Sequence, residues 1–283
     1  MEKIVFNSEY FNARDTLLCG QLFRYFPVSE KANAYFVNSA DKRCLVYNDA
    51  ENAVIECEEK DVAYFTNYFD LSRDYGAIVG AATAQGGVLK TAAALGKGIR
   101  ILNQDKAEAL FSFIVSQNNN IPRIKGIIER LCAGAGCKRE FLGEEYYTFP
   151  TANELAAKPL EFFKDIGLGY RAEYIKRLAD GFNATFNEAE FSALKTADLK
   201  KRLNAIYGVG PKVADCVSLF GFHRSDSFPV DTWIEKVYRE NFGGTLTERN
   251  KIADYFVGRF GENSGYFQQY LFYYKRSLEK ESK

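Results

Sequence analysis

In the stretch Gly208-Val-Gly-Pro-Lys-Val-Ala-Asp-Cys216 a lysine follows two glycines and a proline. An amine in such a place is a candidate nucleophile, provided its surroundings favour the neutral form. The glycines at 208 and 210 permit positive φ, and Pro211 suits the first position of a helix. The stretch therefore predicts helix, hairpin, helix over about residues 203–219, with an apolar helix ending at Tyr207 and Lys212 in the first turn of the next. That turn is the positive end of a helix dipole, which disfavours a cation, and burial adds to the effect. The N–H groups of Gly208, Gly210 and Lys212 lack intrahelical partners in this arrangement and can cradle an anion such as a phosphate. The same geometry also serves as a plain corner that binds nothing. A nucleotide-binding P-loop is excluded, because Val213 follows the lysine where that motif needs serine or threonine.

Four more residues can share this chemistry. Cys216 lies one helical turn beyond Lys212, so the two side chains face one way. Asp231, in the Pro-Val-Asp loop of 229–231, sits where a helix N-cap belongs and reads either as a cap or as a catalytic carboxylate. Asp215 is nearer in sequence but lies inside the second helix and is expected to be structural. Gln268 and Phe272 are four apart, which lets an amide and an aromatic plane address the same object; Phe272 also reads as plain core. His223 is the chain's single histidine and has no cysteine or second histidine beside it, which argues against triads and zinc sites and leaves it as a surface turn residue.

The elements that must hold these residues change character along the chain. Up to about Glu59 the short runs AYFVNSA, RCLVYND and AVIEC alternate and are separated by turn-rich SADK and NDAEN, which is antiparallel sheet. After about Asp61 the segments DVAYFTNYFDL, AEALFSFIVSQ, IPRIKGIIERLC, LEFFKDI, RAEYIKRLADGF and VADCVSLFGF carry apolar residues at helical spacing. The stretch GAIVGAATAQGGVLKTAAALGKG is compatible with helix, loop or both. The expected architecture is α+β: a β-rich N-terminal domain over 1–92 and an all-helical domain over 93–283.

With 37 basic and 37 acidic residues there is no global positive field, so any nucleic acid must be held by a local patch and by backbone amides. Six cysteines without a C-x-x-C pair, and a start without an apolar signal core, point to a reducing cytoplasm, at the nucleoid in a bacterium, with a nuclear setting left open. No apolar run reaches the ~18 residues of a membrane span.

Taken together, the hairpin, its lysine and the trailing Pro-Val-Asp resemble the helix-hairpin-helix, Gly/Pro-Asp superfamily of DNA base-excision glycosylases. Within it, VADC after GVGPK, the asparagines in FSFIVSQNNNIPRI, GLGYRA at 167–172 and CGQLFRY near the N-terminus resemble the 8-oxoguanine DNA glycosylase family, in that family's order and over nearly the whole chain. The resemblance implies a β-sheet module followed by two helical lobes with a DNA cleft between them. It implies a bifunctional, monomeric enzyme needing no metal or cofactor, acting on duplex DNA that carries 8-oxoguanine opposite cytosine. Lys212 would displace the base, form a Schiff base with the sugar and cleave by β-elimination, while Asp231 stabilises cationic character on the sugar.

The other roles are implied in the same way. Cys216 and Phe272 sandwich the flipped purine, Gln268 reads its Watson–Crick edge, and the backbone carbonyl of Gly20 accepts the N7 proton that guanine lacks; Gly20 also reads as a strand-end turn. Asn118, Arg123 and Arg171 address the orphaned base and Tyr170 wedges into the stack. Trp233 stands where eukaryotic members have a histidine, which removes a charge from the phosphate grip. The four-cysteine spacing of the iron–sulfur branches is absent. Two rival readings are a monofunctional alkyl-base glycosylase, against which Lys212 and Gln268 argue, and a non-catalytic DNA-binding module.

Overall fold

The computed structural model describes residues 1–29 and 31–281. Five strands, β1 (Glu2–Asn7), β2 (Tyr25–Pro27), β3 (Ala34–Ser39), β4 (Lys42–Asp49) and β5 (Asn52–Cys57), form an antiparallel sheet in the order β1-β5-β4-β3-β2. The pairings Ser39↔Lys42 and Asp49↔Asn52 leave two-residue turns, and Ala40 and Ala50 there take φ of 50°. Such primed turns match the twist of the flanking strands. Alternation puts Val37, Val46 and Ile55 on one face, where they pack with Leu17, Phe65 and Phe69.

The helical part holds one feature that periodicity did not foreshadow. Strands β6 (Lys138–Phe141) and β7 (Glu144–Tyr147) form a separate hairpin, and its Phe141 and Tyr146 cover Phe36 on the opposite face of the sheet. The guanidinium of Arg43 lies 4.1 Å above the Phe36 ring in the same contact. Arg24, 1% exposed, ties sheet to helices by pairing with Glu108 at 3.5 Å.

The alanine- and glycine-rich stretch resolves into two helices, Tyr75–Ala84 and Gly87–Gly96, broken where Gly86 and Gly87 take φ of 69° and 52°. The second packs on the long helix Ser264–Glu281, close enough that a Cβ on Gly96 would lie 3.0 Å from the Tyr270 ring. Cys19, Phe23, Ala92, Val217 and Tyr270 belong to one continuous core, so the N-terminal segment enters the helical body.

Two local expectations are corrected. The helix before the glycine hairpin is Thr196–Asn204 and stops short of Tyr207, which is 50% exposed. His223 is not a surface residue: its Nε2 lies 3.1 Å from the Ile101 carbonyl and 3.4 Å from Asp70 Oδ2, and its φ is 52°. Burial pushes its pKa down despite the aspartate. Among the described residues no helix is long and apolar enough to cross a membrane.

Candidate active site

The glycine hairpin is built as its composition demands, with one difference between its glycines. Gly208 takes φ of 86°, and a Cβ there would lie 2.5 Å from Tyr174 Cγ, so both conformation and space require glycine. Gly210 has φ of −91° and simply precedes the helix Pro211–Phe220, with Pro211 at its first turn. Among the described residues the backbone N–H groups of Gly210, Lys212 and Val213 have no partner and gather at one helix start. Free donors grouped at a helix start in this way can hold an anion. Gln117 Nε2 donates to the Gly208 carbonyl at 2.9 Å and braces the hairpin from the helix Lys106–Ser116.

Beside this hairpin opens a pocket. It brings together six residues singled out in the sequence: Gly20, Lys212, Cys216, Asp231, Gln268 and Phe272. Pro229 of the Pro-Val-Asp loop lines it too, with three residues that sequence reasoning missed, Phe113, Phe220 and Gln269. Phe113 and Phe220 stack at 5.5 Å between centroids, and Lys212 Nζ lies 5.6 Å from the Phe113 ring centre. An apolar wall thus backs the amine.

The acids are sorted by position. Asp231 caps the helix Thr232–Phe242: its Oδ1 accepts from Trp233 N at 2.9 Å and Ile234 N at 3.0 Å. Among the described residues its Oδ2 takes no hydrogen bond, so cap and pocket-facing carboxylate are one residue. Burial raises the Asp231 pKa, opposed by those two N–H groups and by the Lys212 charge. Asp215 instead pairs with Lys200 Nζ at 2.6 Å, away from the pocket lining, and burial holds its carboxyl up to about 6. Among the described residues no carboxylate lies within the 4.0 Å ion-pair range of Lys212. Burial pushes the Cys216 thiol up to about 11 although Lys212 is beside it, which keeps it a neutral, polarizable wall.

Gln268 is 5% exposed, and its Nε2 donates to the Pro229 carbonyl at 3.2 Å. Its Oε1 is buried without a partner among the described residues. Buried polar atoms are normally satisfied, and this one belongs to a residue of the pocket wall. Gly20 takes φ of 98°, and a Cβ on it would approach Phe272 Cε1 to 3.1 Å.

The opposite-strand candidates form a second group. Tyr170 is 51% exposed and its hydroxyl accepts from Asn118 Nδ2 at 3.2 Å; Asn118 takes φ of 46°. Arg123, also exposed, donates to the Gly167 carbonyl at 3.3 Å. Arg171, expected beside Arg123, is instead 3% exposed. Its Nε donates to Gln117 O at 2.7 Å, its Nη1 to Leu168 O at 3.3 Å and its Nη2 to Asn118 O at 3.0 Å. It holds the loop carrying Asn118, because the first residue of the helix Arg171–Asp180 points back under that loop.

Residues 3–110 match the family model for the N-terminal domain of 8-oxoguanine DNA glycosylase, and residues 111–254 match that of the HhH-GPD superfamily of base excision DNA repair proteins. The chain belongs to the 8-oxoguanine DNA glycosylase family of the HhH-GPD superfamily. It is 31% identical to the N-glycosylase/DNA lyase of Saccharomyces cerevisiae over 268 residues, 85% of this chain and 70% of that protein. Among solved structures it is similar to MBOgg1 in complex with a low-affinity DNA ligand, with 37% identity, TM-score 0.92 and coverage of 98% and 96% of the two chains. It is similar also to the Clostridium acetobutylicum 8-oxoguanine glycosylase/lyase in complex with double-stranded DNA containing cytosine opposite 8-oxoguanine, with 37% identity, TM-score 0.90 and coverage of 96% and 93%.

In this glycosylase Trp233 is half-buried at the first turn of the helix that Asp231 caps, and Lys236 Nζ lies 5.0 Å over its ring. Among the described residues no group of three or more His, Cys, Asp or Glu side chains is placed to hold a metal ion.

Proposed function

We propose that this protein flips 8-oxoguanine, opposite cytosine, out of duplex DNA into the pocket of Lys212 and Asp231, releases the base and then cleaves the strand. Lys212 Nζ attacks C1′ of the flipped nucleotide, and the bond from C1′ to the base breaks with its electron pair leaving on the base. The secondary amine so formed loses a proton, the sugar ring opens to a Schiff base, and elimination across C2′ and C3′ expels the 3′ phosphate. Asp231 presents its free Oδ2 to the positive charge that develops on the sugar, an interaction strengthened by the burial of the carboxylate. The free N–H groups of Gly210, Lys212 and Val213, in the hairpin that turns at Gly208, hold a backbone phosphate.

The observation that carries the reading is the convergence of Lys212, Asp231 and the unpartnered Oε1 of Gln268 on one pocket. Oε1 accepts from the N–H groups of a guanine-type Watson–Crick edge, while Cys216 and Phe272 cover the two ring faces. Asn118 and Arg123 address the orphaned cytosine, Tyr170 enters the stack, and Arg171 supports them from beneath. The unit works as a monomer without metal or cofactor. We place the reaction in a reducing compartment such as the cytoplasm, where the six cysteines stay thiols.

Borohydride trapping tests this on a duplex with 8-oxoguanine opposite cytosine. The parent is expected to form a covalent adduct and Lys212→Gln none. Base release by the parent without an adduct would make it monofunctional; neither release nor adduct would remove 8-oxoguanine as its substrate.

A further inference from the structure

Around Gly20 the backbone carbonyls are unequally engaged. Arg276 Nη1 donates to Leu18 O at 3.1 Å, Gln269 Nε2 to Cys19 O at 3.0 Å and Gln104 Nε2 to Gln21 O at 2.7 Å. In this run of four, the carbonyl of Gly20 is the one without a donor among the described residues.

Glycine lacks the Cβ that restricts φ and ψ, so its carbonyl points where the flanking peptides send it. Downstream, the fully buried Gln21 is fixed by its own side chain, which donates to Thr16 O at 2.9 Å and Arg100 O at 2.7 Å and accepts from Leu102 N at 2.9 Å. Upstream, the hold comes from Gln269 and Arg276 on the helix Ser264–Glu281. Gln269 is 2% exposed and takes the peptide next to Gly20; the half-buried Arg276 takes the one before it.

We propose that Gln269 and Arg276 are positioning residues for lesion discrimination, aiming the Gly20 carbonyl at N7 of the flipped base. The inference rests on the 8-oxoguanine reading above. An aimed carbonyl meets N7–H in 8-oxoguanine and gains a hydrogen bond. In guanine it meets the N7 lone pair, acceptor against acceptor, and the pairing is repulsive. A carbonyl released to turn away forfeits the first and escapes the second, so the ratio of affinities falls from both ends. Loss of packing alone weakens both duplexes together.

The test is equilibrium binding in a Lys212→Gln background to duplexes with 8-oxoguanine or guanine opposite cytosine. Gln269→Met keeps the volume and removes the donor, and is expected to lower the affinity ratio about tenfold, the worth of one buried hydrogen bond. Arg276→Met, at a half-buried site that tolerates change, is expected to lower it several-fold, and Arg276→Lys to restore it. An unchanged ratio in both methionine variants, or an equal loss for both duplexes, overturns the proposal. Absence of any preference in the Lys212→Gln parent overturns the 8-oxoguanine reading and this inference with it, whereas a preference that survives the methionine variants overturns only the latter.

Discussion

Replacing Asp231 by asparagine separates its two duties. Asn ranks with Asp as an N-cap, so the bonds from Trp233 N and Ile234 N, now 2.9 and 3.0 Å, can persist and stability is expected to stay within ~1 kcal/mol of the parent. What disappears is the negative charge that Oδ2 presents to the sugar. A unit charge about 4 Å from a developing cation, at an effective dielectric of about 20, is worth roughly 4 kcal/mol. Single-turnover base release should therefore fall about 10³-fold. Because burial raises the Asp231 pKa, release by the parent is expected to decline with falling pH from above the ordinary carboxylate range, and the variant should lack that limb. Base release, scored apart from strand cleavage and beside a melting curve, checks both statements. A loss under tenfold with an unchanged melting temperature would refute the electrostatic role, as would inactivation by Asp215→Asn with Asp231→Asn intact.

Two further outcomes follow from the hairpin and its helix. Asp215 titrates near 6 when folded against an ordinary ~3.9, so the folded state holds its proton more tightly. The stability it lends is present below pH ~4 and lost as pH rises through 6, on the order of 3 kcal/mol, which Asp215→Asn should abolish in pH-dependent melting while base release persists. Parallel melting-versus-pH curves for the two proteins would count against this. Gly208→Ala must carry φ of 86° and a Cβ 2.5 Å from Tyr174, so it is expected to cost at least ~1–2 kcal/mol of stability and to weaken duplex binding. A melting curve and a DNA titration read both; parental values in each would show that the hairpin has slack.

Much of the site was legible because it is written in local rules. Glycine before proline, a lysine one turn from a cysteine and a glutamine one turn from a phenylalanine all depend on helix geometry that spacing reveals. Asp231 could be placed as a cap for the same reason. What escaped depends on contacts between distant segments. Phe113 and Phe220 have the pattern of any core phenylalanine, and nothing local tells a pocket wall from an interior. The strands β6 and β7 span four residues each, too short for alternation to register. The burial of Arg171 could not be read from sequence, because arginine is usually solvated and here three carbonyls compensate it. His223 was misjudged likewise, since its aspartate lies in a segment far upstream.

The bond from Gln269 to Cys19 spans 250 positions of the chain. Contacts of such long range form late, since the loop they close must first surrender its freedom. During synthesis, then, the sheet and the lysine hairpin can fold on the ribosome while the base reader is still incomplete. A nick that frees the helix Ser264–Glu281 is therefore expected to take Gln268, Gln269 and Phe272 out of the pocket and Tyr270 out of the core at one stroke.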